Sequence, residues 1–82
     1  DNNAADALAL LELAEVKELL SRSISRLPEK EKKVVSLYYY EGLTLKEIGL
    51  ILGLSESRIS QLHTKAILRL RGSLSKKKNQ VL

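Results

Sequence analysis

The side chains best equipped for chemistry in this chain are polar and basic, and they gather in its second half. Ser57, Gln61, Thr64 and Lys65 recur at helical spacing, flanked by Glu56, Arg58 and Ser60. Residues three or four apart share one face of a helix, so this set lies opposite the apolar Ile59, Leu62, Ala66 and Leu70. The chemistry on offer is recognition of nucleic-acid edges and phosphates. Gln can bond adenine at two points, Arg can bond guanine or phosphate, and Glu can accept from the amino group of cytosine. Lys65, Arg69 and Arg71 lie further along and suit phosphates, which position a protein without carrying sequence information. Lys46, beside the amides that open the preceding helix, suits a phosphate as well.

Catalysis lacks its parts. The chain has no Cys and one histidine, His63, which excludes thiol nucleophiles, disulfides and Cys- or His-rich metal sites. No nucleophile is paired with a base and no Gly-rich loop is placed to cradle phosphate. The expectation is a binding protein that is not an enzyme, with no metal, cofactor or small-molecule substrate. His63 is expected on a helix flank, partly in contact with solvent.

The elements that must position these side chains read as helices, since sustained period-2 alternation and Asn-Gly or Asp-Gly turns are missing. A first helix, opening at Asn3 or Asp6, carries Leu13, Val16, Leu20, Ile24 and Leu27 on one stripe. Leu8, Leu10 and Leu11 widen that stripe, for contact with another protein or for packing on two sides of its own domain. Pro28 ends this helix and opens the next at its first position, with Glu29 and Glu31 in the turn where negative charge complements the dipole. Val34, Val35, Leu37, Tyr38 and Tyr39 follow, and Gly42 stops the helix as a left-handed residue. Consecutive helical residues point about 100° apart. Tyr38, Tyr39 and Tyr40 therefore cannot form one stacking platform, and one or two of the rings should pack inward.

Next, Thr44 and Glu47 have capping-box spacing, opening a helix over roughly 45–52 with Leu45, Ile48 and Leu52 on one face. Gly53 suits positive φ and Ser55 suits the N-cap of the helix that follows. Two helices joined by so short a Gly-containing turn form a helix-turn-helix. Gly49, mid-helix, costs about 1 kcal/mol relative to Ala, which makes sense if the second helix crosses too closely for a β-carbon. An ordinary helical hairpin leaves both Gly49 and the polar outer face unexplained.

Charge follows the same division. The 82 residues carry a net +4, but residues 1–43 balance at −2 (six bases, eight acids) and residues 44–82 at +6 (eight bases, two acids). A basic half suits a polyanion, or is a solvated face and tail. Phe, Trp and Met are absent, so aliphatic side chains must build the core. No window holds the roughly 18 apolar residues of a membrane span, and no signal-peptide pattern opens the chain. Lacking an initiating Met, it reads as a piece excised from a longer protein.

The run Leu27-Pro-Glu-Lys-Glu-Lys-Lys-Val-Val-Ser-Leu-Tyr-Tyr-Tyr-Glu-Gly-Leu-Thr-Leu-Lys-Glu-Ile-Gly, followed by Ile51-Leu-Gly-Leu-Ser-Glu-Ser-Arg-Ile-Ser-Gln-Leu-His-Thr-Lys-Ala-Ile-Leu-Arg-Leu-Arg71, resembles region 4 of bacterial sigma-70 family factors. Ser55-Glu-Ser-Arg-Ile-Ser-Gln-Leu-His63 is most similar to the motility, or flagellar, branch. The resemblance covers about 45 of the 82 residues. It implies an all-α domain of four to five helices, of winged-helix-like or homeodomain-like class but without strands. Residues 1–26 would be an N-terminal helix and linker from region 3, 27–74 the helix-turn-helix domain and 75–82 a basic tail. It implies binding to double-stranded promoter DNA at the −35 element, docking on the β flap of core RNA polymerase, and capture by an anti-sigma factor, all in the bacterial cytoplasm. Base contacts would fall on Glu56, Ser57, Arg58 and Gln61, and phosphate contacts on Thr44, Lys46, Ser55, Ser60, Thr64, Lys65 and Arg69. Glu56 and Ser57 stand where the housekeeping factors usually have Arg and Glu, which points to a different −35 sequence. Two other readings remain: the DNA-binding output domain of a response regulator, against which the stretch Arg58 to Arg71 argues, and a helical interaction module whose basic face meets an acidic partner.

Overall fold

The computed structural model describes residues 2–81, with side chains described for residues 3–76; the expected contribution of Lys77 and Lys78 in the tail lies outside the described side chains. Four helices follow in order: α1 (Asn2–Ser25), α2 (Glu29–Val35), α3 (Leu45–Leu52) and α4 (Glu56–Val81). A π-helical turn, Ser36–Tyr40, extends α2, and no strand occurs among the described residues. The fold is all-α, as expected.

Chain breaks fall where local chemistry requires them. The last turn of α1 tightens as Arg26 N–H reaches Ser23 O at 3.2 Å and Leu27 N–H reaches Ile24 O at 3.1 Å. Pro28 then adopts φ −52° and ψ 147°, an extended conformation. Its carbonyl accepts from Lys32 N–H at 2.9 Å, so Pro28 is the N-cap of α2 and stands one position outside the helix, not at its first residue. Glu29 and Glu31 occupy the first turn as expected. At the far end, Glu41 N–H bonds Ser36 O at 3.3 Å and Leu43 N–H bonds Leu37 O at 3.1 Å. These long-reach bonds close around Gly42, whose φ of +69° suits a residue without a β-carbon.

Two apolar clusters share α2 and α4. Leu27, Val35, Ala66 and Leu70 form one, with Leu20, Ile24 and Ile67 packed against it. Val34, Ile48, Ile59 and Leu62 form the other, with Leu37, Leu43, Leu45, Leu52 and Leu54 around it. Adjacent on α2, Val34 and Val35 diverge by the helical turn angle and so serve different clusters. α4 feeds both, through Ile59 and Leu62 in its first half and Ala66 and Leu70 in its second. Ile48, Ile59, Val34 and Val35 are the largest side chains fully withdrawn from water.

Only the last turns of α1 join this core. Leu20 and Ile24 are half-buried and Leu27 is buried, while Leu8, Leu10, Leu11, Leu13 and Val16 stay exposed, by between 49% and 69%. The domain is elongated, 52 × 26 × 16 Å. The expected helix stripe is real, but two-sided packing within the domain is not found, because α2 and α4 cover only the C-terminal end of α1.

Candidate nucleic-acid interface

α3 begins with a complete capping box. Glu47 N–H donates to Thr44 Oγ1 at 3.1 Å, and Thr44 N–H donates to Glu47 Oε1 at 2.9 Å. The Thr44 backbone N–H, and then its side chain, hold the Glu47 carboxyl below its usual range. A carboxyl whose folded pKa is depressed adds stability above its unfolded pKa and loses it as pH falls through the folded one. Acidification should therefore fray the start of α3, and Glu47→Gln should flatten that step. Following the Thr44 amide by NMR through an acid titration checks it; an identical titration in the variant would contradict it.

The turn between α3 and α4 is fixed by two glycines for different reasons. Gly53 has φ +69° and ψ 33°, the left-handed conformation at which a helix commonly ends. Leu54 N–H then reaches back to Gly49 O at 2.9 Å. That return bond presses the turn onto Gly49, where a β-carbon would stand 2.6 Å from Leu54 O. The close approach inferred from Gly49 is thus present, but the colliding atom is a carbonyl of the turn, not a side chain of the crossing helix. Ser55 caps α4 by accepting from Arg58 N–H at 3.1 Å, and Ile59 N–H bonds Ser55 O at 3.0 Å.

With α4 held this way, its outer face is set. Glu56, Ser57, Ser60, Gln61, Thr64 and Lys65 are exposed and Arg58 is half-buried, while Ile59 and Leu62 are buried behind them. Thr44, Lys46 and Ser55 are exposed at the neighbouring helix starts. Thr44 Oγ1 and Ser55 Oγ use lone pairs for capping, so each keeps its O–H proton to donate outward. Arg58 Nη1 lies 3.4 Å from Gln61 Oε1.

Arg69, expected on a phosphate, is committed elsewhere. Its Nε donates to Glu31 Oε1 at 3.0 Å and Oε2 at 3.3 Å, and the Glu31 side chain is only 5% exposed. The pair ties α4 to α2, a role invisible in sequence because Glu31 and Arg69 are 38 positions apart.

The tyrosines also depart from expectation. None enters the core: Tyr38 is 36% exposed, Tyr39 54% and Tyr40 70%. Val34, Val35 and Leu37 take the core positions of this segment, and the π turn lays the Tyr38 and Tyr39 rings beside His63 on α4. Tyr39 Oη is 2.8 Å from His63 Nε2. Tyr38 meets the Tyr39 ring edge-on at 4.8 Å and the His63 ring at 5.1 Å. The available signal was the place of His63 on α4, four residues after the buried Ile59 and beside the core-facing stripe. As expected, it is half-buried on a flank. Among the described residues no group of three His, Asp or Glu side chains is placed to hold a metal, and no helix is long and apolar enough to cross a membrane.

Comparison with known proteins gives the arrangement a family. Residues 23–72 match the family model described as Sigma-70, region 4. The chain is 46% identical over 76 residues to RNA polymerase sigma factor FliA of Escherichia coli K12, covering 93% of this chain and 32% of that protein. It is 56% identical over 57 residues to the RNA polymerase sigma-D factor of Bacillus subtilis, covering 70% of this chain and 22% of that one. Among solved structures it superposes with a TM-score of 0.76 on the flagellar sigma/anti-sigma complex Sigma-28/FlgM, at 43% identity, covering 85% of this chain and 30% of that chain. The chain thus spans about a third or less of the length of these relatives. The response-regulator reading is not favoured. A capped helix-turn-helix with a polar outer face, matched from Ser23 to Gly72, places the chain in the sigma-70 family as a region 4 domain of the flagellar branch.

Proposed function

We infer that this domain recognises the −35 element of promoter DNA and docks on core RNA polymerase, contributing binding and no bond-making chemistry. The carrying observation is that Ser57 and Gln61 stand exposed on the first turns of α4 while Ile59 and Leu62 are buried behind them. That is the presentation a recognition helix needs to enter a major groove. Base contacts are assigned to Glu56, Ser57, Arg58 and Gln61. Phosphates fall to Lys46 and Lys65, with hydroxyl donors from Thr44, Ser55, Ser60 and Thr64; Arg69 adds its outer nitrogens only so far as Glu31 leaves them free. The relatives' names supply the polymerase, and the complex with FlgM supports an anti-sigma partner here as well. Work on a polymerase and its promoter supports a bacterial cytoplasmic setting. Residues 27–74 carry the reading unit, residues 1–26 the helix that joins it to region 3, and residues 75–82 a basic tail.

Cations, not hydroxyls, set the salt dependence, because only they release counterions. Three exposed cations suited to phosphate remain once Arg58 is assigned to a base and Arg69 to Glu31: Lys46, Lys65 and Arg71. Neutralising about three phosphates predicts a fall of about 40-fold in duplex affinity between about 50 and 200 mM salt. Fluorescence anisotropy on a short duplex measures this, and an affinity flat over that range would contradict the reading. Capture of core RNA polymerase by the same chain separates a sigma domain from other helix-turn-helix proteins.

A further inference from the structure

We propose that the hollow between the corner joining α1 to α2 and the last turns of α4 is a binding site for a phosphate monoester. It measures about 410 Å³, a size at which small organic molecules bind. Its cations come from two places in the fold. Arg26 stands just past the end of α1, while Arg69 and Lys76 share one face of α4. Arg69 is oriented before any ligand arrives. Its Nε makes the pair with the buried Glu31 carboxylate, which leaves both Nη groups to donate elsewhere. Among the described residues no carboxylate stands within ion-pair reach of Arg26 or Lys76. The three cations with Glu31 leave a net charge of +2. A phosphate monoester carries a charge of about −1.5 to −2 at neutral pH and matches it; a single carboxylate does not.

A glycine marks the same hollow. Gly72 lines it from α4, between Arg69 and Lys76, and a glycine inside a helix lowers that helix's stability. Unlike Gly49, it answers no close approach within the fold: a β-carbon there would meet no atom within 4 Å. The space left open at Gly72 belongs to the hollow, and it lets a ligand come close to the helix backbone. Leu27 and Pro28 give the hollow apolar lining, which suits the organic part of an ester. The site stands apart from the DNA-reading turns. Gly72 and Lys76 lie about 16 and 22 Å along α4 beyond Gln61, further than the depth of a major groove, about 8.5 Å. Its fate is therefore independent of the DNA-binding reading.

The test titrates the 82-residue chain with phenyl phosphate, inorganic phosphate and acetate at constant ionic strength and about pH 8, where a phosphate monoester is a dianion. NMR follows the Arg69 Nε–H and Gly72 amide signals. Phenyl phosphate should saturate both, binding about tenfold tighter than inorganic phosphate through its apolar contact with Leu27 and Pro28. Acetate should saturate neither. Equal affinities for the two phosphates would uphold the site with free phosphate as its ligand. Gly72→Leu fills the hollow with a better helix former. It should weaken phenyl phosphate by about tenfold while circular dichroism shows the same helix content. Arg26→Gln, which leaves the Glu31–Arg69 pair in place, should weaken it by a similar factor. The proposal is overturned by shifts that rise linearly with all three anions, or by acetate binding as tightly as phosphate. Undiminished binding of phenyl phosphate to Gly72→Leu overturns it as well.

Discussion

Gly49→Leu should destabilise the domain by about 3 kcal/mol, at the upper end of overpacking costs. That is a large share of the stability of a domain this size, which is on the order of 5–10 kcal/mol. Two effects compete at this position. Ala recovers about 1 kcal/mol of helix propensity relative to Gly, and Leu slightly less. Against it, the first added carbon would sit 2.6 Å from Leu54 O, and that oxygen cannot retreat freely. Leu54 N–H is bonded to Gly49 O, its side chain packs on the cluster of Val34, Ile48, Ile59 and Leu62, and Ser55 next to it caps α4. Relief would have to break the return bond or lift α4 from α3. Gly49→Ala should already be destabilising, which is the reverse of its sign in an ordinary exposed helix. Urea unfolding checks both variants, and an unchanged midpoint in Gly49→Leu would show that the turn does not press on this helix.

Arg69→Ala should cost about 2 kcal/mol, through what it leaves behind. Glu31 is buried in the side of the domain and Arg69 supplies its partner. Breaking a buried pair by removing one member typically costs 3–5 kcal/mol. The figure here is smaller because the Arg69 side chain is 58% exposed and water can replace part of it. Replacing both members by Leu should restore most of the loss, since two apolar groups beside the Leu27 and Val35 cluster carry no desolvation penalty. If Arg69→Ala costs less than about 0.5 kcal/mol, the pair behaves as a surface contact and does not fasten α2 to α4.

How much of this was readable in advance depends on the range of each interaction. The Thr44–Glu47 capping box, the Ser55 cap and the left-handed Gly42 and Gly53 depend on residues within a turn of one another, and all stand where their spacing placed them. The apolar faces of α3 and α4 were legible for the same reason: Ile48, Ile59, Leu62, Ala66 and Leu70 recur with the helical period and all are buried. The exposure of Ser57 and Gln61 follows from that phase. What escaped depends on distant partners. Nothing local distinguishes Arg69, drawn to Glu31, from Lys65, which faces water. The three tyrosines gave the same apolar signal as core residues, and what Tyr38 and Tyr39 meet instead is His63 on α4, far along the chain. The apolar run of α1 shows helical periodicity whether or not a surface covers it, so its exposure could be learned only from where α2 and α4 end.

The most direct measurement compares two single substitutions on α4 across a set of duplexes differing by one base pair each. Gln61 faces outward on the turns assigned to the groove, and Lys65 stands one turn further on, assigned to phosphate. Gln61→Ala should erase preference at one base pair, at about 1–3 kcal/mol, and leave other positions alone; Lys65→Ala should weaken every duplex alike and lower the salt slope by about one. If both substitutions shift all duplexes by the same factor, or neither changes binding, the outer face of α4 is not what reads DNA.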